Sequence, residues 1–266
     1  MDAAAAIAAA AVGGGARARH GSRIDPRGVG CGCVRPQASI VGFALSPPAS
    51  WPATRAVARS ALRINSISQE SAMNRIISPQ AWKLIAKTLG VDEACLRAVA
   101  QVESSGGGFM RSPSQLPKIL FEGHVFHRRT KGRFGASHPG LSYPRWDRSK
   151  YSGSMAGEWK RLDAASALDR VAALESASWG AFQIMGFNYA ACGFDDVDAF
   201  VAAHKESADA QLAAFAHFIS RPKFLDALRG RNWKGFAAAY NGPEFAKNRY
   251  DTKLATAYAR FAAQSQ

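Results

Sequence analysis

No apolar run in the 266-residue chain approaches the ~20 residues that a membrane-spanning helix needs, which excludes an integral helical membrane protein. Cysteine is scarce. Four residues, Cys31, Cys33, Cys95 and Cys192, are too few for a disulfide scaffold. Acidic residues are also in short supply, 20 against 34 Lys and Arg, which leaves a net charge of +14. A heptad pattern, a collagen period and a repeat of solenoid length are all missing. The length allows one or two domains with a sizeable core.

Residues 1–72 contain neither lysine nor tyrosine, although the chain has eleven Lys and six Tyr. They hold eight Arg and three acidic residues in a background of Ala, Gly, Pro and Ser, with runs such as Ala3–Ala6 and Gly13–Gly15. Such a composition buries too little apolar surface to offset chain entropy, so a disordered extension is expected. A secretory signal is not supported, because Asp2 precedes the apolar stretch Ala3–Val12 and the Arg residues follow it. Two readings stay open: an Arg-rich, acid-poor segment like an organelle transit peptide, or an extension upstream of a true start at Met73. Cys31-Gly32-Cys33 has the wrong spacing for a metal pair.

Residues 73–266 read as one domain, with 26 basic and 17 acidic residues and a net charge of +9. Ser78 suits a helix N-cap, Pro79 the first helical position and Gly90 the stop. Trp82, Ile85, Ala86 and Leu89 form one stripe between them. A second helix starts near Asp92 and ends in Ser104-Ser105-Gly106-Gly107-Gly108. Pro117 to His127 is apolar and β-branched enough for a short strand or hairpin. Residues 128–157 read as a long ordered loop, and helical patterns return from about 158 to the C-terminus. The expected fold is α+β, mostly helical, with a small β-hairpin.

Glu103 is the most informative residue. Leu96, Val99, Ala100 and Glu103 follow i, i+3, i+4, i+7, so the carboxyl shares the core-facing side of its helix. It also stands at the helix C-terminal end, where the macrodipole is negative. Both effects disfavour the anion and raise the pKa. A carboxylic acid that keeps its proton near neutrality is what protonating a leaving sugar oxygen requires. The competing reading is an ordinary Glu at a frayed, solvent-facing helix end.

Two later segments carry further polar groups. Ser178-Trp179-Gly180-Ala181-Phe182-Gln183-Ile184-Met185-Gly186 places an aromatic and an amide in a tight turn, and Ala238-Ala239-Tyr240-Asn241-Gly242-Pro243 follows. Singly, each also fits a structural role, with Trp179 and Tyr240 in a core and Asn241-Gly242 as a helix stop. In this order, Glu103-Ser104, Gly180–Ile184 and Ala239-Tyr240-Asn241 resemble the lysozyme-like superfamily, with its soluble lytic transglycosylases and goose-type lysozymes. Pro117–Phe126, Ser176–Asn188 and Tyr240–Pro243 are more similar still to the N-acetylmuramidase domain of bacteriophage endolysins. The resemblance spans roughly 74–264. It departs at Gly123, where a basic residue is expected, and in the Ser-rich stretch Ser112–Gln115.

This resemblance implies a lysozyme-like fold and cleavage of the β-1,4 bond between N-acetylmuramic acid and N-acetylglucosamine in peptidoglycan, with Glu103 as general acid. Glu122, on the expected strand, is the candidate second carboxylate, and its alternative is a Glu paired with Arg128 or Arg129. Glu175 is a further candidate, or a tether for the turn before Trp179. Ser104, Trp179, Gln183, Tyr240 and Asn241 are the expected substrate-binding residues. No metal or other cofactor is expected, since His124-x-x-His127 lacks a third ligand and on a strand would point its rings to opposite faces.

The positive charge suits a polyanionic bacterial wall. Nucleic acid is the partner of a different class, but the Lys and Arg residues are dispersed and carry no nucleic-acid motif. A non-catalytic wall-binding module is a third reading, and it would not need a Glu ending an apolar stripe. Lytic transglycosylase action, in which the sugar's own hydroxyl attacks, stays open beside hydrolysis. The expected setting is a monomeric phage or prophage enzyme, made in the host cytoplasm and acting on peptidoglycan glycan strands after release.

Overall fold

A computed structural model of the chain describes residues 74–264 apart from Pro113. The expectations for residues 1–72, Cys31 and Cys33 included, lie outside the described residues. Ten α-helices and a three-stranded antiparallel sheet make up the described fold, in the order α1 (Pro79–Leu89), α2 (Glu93–Ser104), β1 (Ile119–Phe121), α3 (Gly123–Arg129), α4 (Met155–Leu168), α5 (Arg170–Glu175), β2 (Ala177–Trp179), β3 (Ile184–Met185), α6 (Val197–Glu206), α7 (Ala208–Ile219), α8 (Pro222–Arg229), α9 (Trp233–Asn241) and α10 (Tyr250–Ala263). Short 3-10 turns link several of them, among them Gly180–Phe182 between β2 and β3.

The first helix follows its end signals. Ser78 Oγ accepts from the Ala81 N–H at 3.1 Å, and Gly90 closes the helix in the left-handed region at φ 63°. The buried face holds Trp82, Ile85, Ala86 and Leu89, as the spacing predicts. Long-range polar contacts fix both ends. The Ser78 N–H and hydroxyl both donate to the Asp209 carboxylate, at 2.7 and 2.8 Å, and Arg229 donates twice to the Leu89 carbonyl. These bonds supply the partners that helix ends otherwise lack.

β2 is the middle strand and pairs Trp179 with Ile119 on one side and with Ile184 on the other. Every residue of the three strands is buried, so the sheet lies inside the helical shell. Its apolar faces merge with one core that includes Leu96, Val99, Phe182, Phe215, Phe236 and Tyr240. The Phe182 and Phe215 rings stack 4.0 Å apart, joining the β2–β3 turn to α7. α10 packs along α2 and meets α9, which brings the last third of the chain back to the end of α2.

The segment Pro117–His127 differs from the expected strand or hairpin. Only Ile119–Phe121 is strand, and helix α3 begins immediately after Glu122. Gly123 explains the departure from a basic residue. A Cβ there would stand 2.3 Å from the Tyr143 ring and 2.6 Å from the Leu141 carbonyl oxygen. The returning loop is pressed onto this helix start, and no side chain fits between.

Candidate active site

Glu103 lies in the last turn of α2, on the face that buries Leu96, Val99 and Ala100. Ser105 ends the helix in the left-handed region at φ 58°, and its N–H returns to the Ala100 and Gln101 carbonyls. The side chain is buried, with 8% of the residue exposed. Burial pushes its pKa up to about 8, against the opposing pull of the Asn241 amide and the Lys253 charge. The Tyr240 hydroxyl is likewise pushed up, by burial and then by the neighbouring Glu103 charge. Glu103, Tyr240 and Asn241 therefore form one cluster, joining the end of α2 to the end of α9. Glu103 Oε2 and Asn241 Oδ1 are buried and have no hydrogen-bond partner within the protein. Unmade hydrogen bonds of this kind are costly in a core and are often kept where a ligand completes them.

The other expected binding residues have different surroundings. Ser104 is buried and its hydroxyl returns to the Ala100 carbonyl at 3.1 Å. Gln183 adopts φ 47° at the end of the Gly180–Phe182 turn, where its side chain clasps the turn. Its Oε1 accepts from Ser178 Oγ at 2.9 Å, and its Nε2 donates to the Gly180 and Lys118 carbonyls. Trp179 corrects the expectation of a substrate-facing ring. It has no exposed surface, and its indole N–H donates to the Leu174 carbonyl at 3.2 Å. Tyr240 is also a core ring, stacked on Phe236, with its hydroxyl donating to the Phe182 carbonyl at 2.8 Å. That bond ties α9 to the β2–β3 turn.

Two positioning residues were not foreseen from the sequence. The Lys118 ammonium donates to the Ser104 carbonyl at 2.7 Å, and burial lowers its pKa. It places a cation at the C-terminal end of the helix that carries Glu103. Lys118→Met should destabilise the fold by about 1–2 kcal/mol and lower turnover, because that carbonyl loses a charged donor. Denaturant melts and wall-lysis rates check this, and an unchanged rate would remove Lys118 from the site. The second is Gln211 on α7, which accepts from the Ala181 N–H and donates to the His204 carbonyl, both at 2.8 Å. It fills the space above Gly108, where a Cβ would lie 1.8 Å from Gln211 Oε1. Gly108, the last of the three glycines after Glu103, thus makes room for Gln211. A remote glutamine on a helix of ordinary pattern gives no local signal for this.

Glu122 sits in a separate polar cluster. It occupies the N-cap position of α3 and has no exposed surface. Tyr151 donates to its Oε2 at 2.6 Å, and the Tyr151 pKa is raised by burial and then by the Glu122 charge. His124 Nδ1 lies 3.2 Å from the same oxygen without the alignment of a hydrogen bond, and Glu122 Oε1 has no partner. Nearby, Arg161 pairs with Glu158 at 2.7 Å and also donates to the Phe121 carbonyl. The expected pairing of Glu122 with Arg128 or Arg129 is replaced, because Arg129 pairs with Glu175 at 2.9 Å. Glu175 thus acts as a tether just before β2.

Among the described residues no group of three His, Cys, Asp or Glu side chains is placed to hold a metal. His124 and His127 lie on a helix instead of the expected strand. They still turn to different partners, His124 to Glu122 and His127 to Ser142 Oγ. Cys95 and Cys192 are free and buried, and burial raises both thiols. No described helix is long and apolar enough to cross a membrane.

The chain resembles the protein in "Crystal structure of Burkholderia AP3 phage endolysin" at 41% identity and a TM-score of 0.64, over 72% of this chain and 73% of that one. No curated protein matches. The family profile Muramidase, described as N-acetylmuramidase, matches residues 92–262, a span that runs from the start of α2 almost to the end of α10 and takes in the Glu103 cluster. The chain belongs to the N-acetylmuramidase family of lysozyme-like glycoside hydrolases.

Proposed function

We propose that the chain is a phage or prophage endolysin that cleaves the β-1,4 bond between N-acetylmuramic acid and N-acetylglucosamine in peptidoglycan, with Glu103 as general acid. The observation that carries this reading is a buried carboxyl at the end of α2 whose proton is retained to about pH 8. Its O–H gives that proton to the glycosidic oxygen as the bond to the anomeric carbon breaks, and the departing sugar leaves as a neutral alcohol. Water then adds to the anomeric carbon through its oxygen and gives up a proton to the Glu103 carboxylate, which restores the acid. The unpartnered Asn241 oxygen is suited to accept from a sugar hydroxyl or an acetamido N–H. Trp179, Gln183 and Tyr240 act by fixing the walls of the site through the bonds described above, and Ser104 by closing the last turn of α2.

The burial of Glu122 favours a second reading. A carboxylate without exposed surface and already bonded to Tyr151 is poorly placed to activate a water. That leaves an orienting role for Glu122 and suits a reaction with one carboxylate, the lytic transglycosylase route to 1,6-anhydro ends. Mass spectrometry of digested peptidoglycan separates the two, because reducing ends are one water heavier than anhydro ends. Reducing ends are expected. Anhydro ends alone would replace hydrolysis by transglycosylation, and an undigested wall would remove both. Glu122→Gln should cost about 1–3 kcal/mol of stability by weakening a buried, charge-assisted bond. Added azide should leave that variant's rate unchanged, whereas rescue by azide would make Glu122 the base.

A further inference from the structure

Beside Glu103 runs a groove that the proposed chemistry does not use. It encloses about 560 Å³ between the last turn of α2 and one face of α10, and it is lined by Gln101, Val102, Arg249, Lys253, Thr256 and Arg260, among others. Positions 249, 253, 256 and 260 are spaced i, i+4, i+7, i+11 and so share one side of the helix, beside its buried stripe of Tyr250, Leu254 and Ala257. That side carries three cations, all exposed, and no acidic residue lines the groove. Among the described residues, none of the three cations forms an ion pair. Arg260 is held by the Gln101 side-chain oxygen at 3.1 Å and lies against the Phe261 ring, so its guanidinium is positioned before any ligand arrives. The Thr252 and Thr256 hydroxyls add donors on the same wall, and Val102 and Ala257 supply an apolar floor.

The groove touches the catalytic cluster at two points. Val102 directly precedes Glu103, and the Lys253 charge acts on the Glu103 carboxyl. A polymer whose scissile bond meets Glu103 therefore passes within reach of this wall, which is open to the substituents of an adjoining sugar. In peptidoglycan those substituents are peptides that carry free carboxylates. Guanidinium groups bind carboxylates in paired, planar geometry, and an ammonium holds them as a point charge.

We propose that this basic groove between α2 and α10 receives the carboxylates of the peptide stems on the glycan strand being cut. The inference rests on the proposed cleavage of peptidoglycan and adds a preference for peptide-bearing glycan over bare glycan.

The test uses the full chain and two substrates, peptidoglycan with intact stems and the same glycan stripped of its stems by an amidase, with the lactyl carboxylates that this cleavage leaves then converted to amides. Wild-type protein should have a kcat/KM at least about tenfold higher on the intact material, the loss expected for removing one or two charge-assisted contacts. In Arg249→Asn/Arg260→Gln that ratio should fall toward one, with the loss mainly in KM. Asn is chosen at 249 because the backbone there is left-handed, at φ 53°. The single variant Arg249→Asn, which leaves the Arg260–Gln101 contact intact, should show part of the same fall. Thermal melts of each variant confirm folding. Equal wild-type rates on both substrates, or a ratio unchanged in the folded variants, would overturn the proposal. Failure of wild-type protein to cut either substrate would instead overturn the cleavage reading on which it rests.

Discussion

Glu103→Gln should abolish wall lysis and make the fold more resistant to denaturation at alkaline pH. The amide keeps the shape of the side chain but has no proton to give to the leaving oxygen. General acid catalysis is worth ~10²–10⁴-fold, so residual activity should fall below about 1% of wild type. The stability effect has a defined sign. The folded pKa of about 8 lies above the ordinary carboxyl value of 4.5, so the folded state holds a proton that the unfolded chain gives up. Wild-type stability from this group is fully present below about pH 4.5, falls as the pH rises, and is lost by about pH 8. At ~1.4 kcal/mol per unit the whole difference is on the order of a few kcal/mol. Melts across pH 4–9 should show the variant gaining on wild type up to about pH 8 and then running parallel to it. Parallel curves throughout would mean that Glu103 is not a buried acid. Wild-type lysis should itself decline above about pH 8, as the acid loses its proton.

Gly186→Ala should destabilise the domain by about 3 kcal/mol, the upper end of what overpacking costs. A Cβ at this position would stand 2.1 Å from the Leu174 carbonyl oxygen and 3.0 Å from the Glu175 Cα. Both are backbone atoms, so no side chain can rotate away, and α5 would have to separate from the β3 end. For a domain of this size the melting temperature should drop by roughly 6–12 °C. Gly140→Ala is the control, because nothing lies within 4 Å of the added carbon. If the two variants melt together, the close approach of α5 to the β2–β3 unit is not the constraint described.

Much of the helical frame was legible in the sequence, because helix ends are written locally. Ser78, Pro79 and Gly90 marked α1, and the i+7 position placed Glu103 on the buried side of α2. The short strand expected after Pro117 forms but stops at Phe121, because Val125, Phe126 and their neighbours suit a strand and a short buried helix equally. Tyr143 and Leu141, from a loop about 20 residues further on, cover Gly123 where that helix starts. Trp179 and Tyr240 illustrate a second limit. Residue type alone does not separate an aromatic ring that faces a sugar from one that holds a core together, and both proved to be core rings. Lys118 and Gln211 act through carbonyls and N–H groups of remote segments, which no periodicity encodes.

The bonds that fasten the segment between α3 and α4 bear on how the protein endures proteases. Arg148 and Lys150 offer trypsin nominal cleavage points at the end of this stretch. A protease needs the chain locally extended, and here extension requires breaking the bond of Tyr151 to Glu122 and the two bonds from Ser152 to the Glu158 carboxylate, at 2.7 and 2.9 Å. Arg161 holds the same Glu158 carboxylate on its other oxygen, so Ser152 is fastened to a group that is itself fixed to α4. Opening is then coupled to disrupting buried charge, and the nicking rate follows the free energy of that opening instead of the number of basic residues on display. A long, Arg-rich surface segment is in this way made durable from beneath.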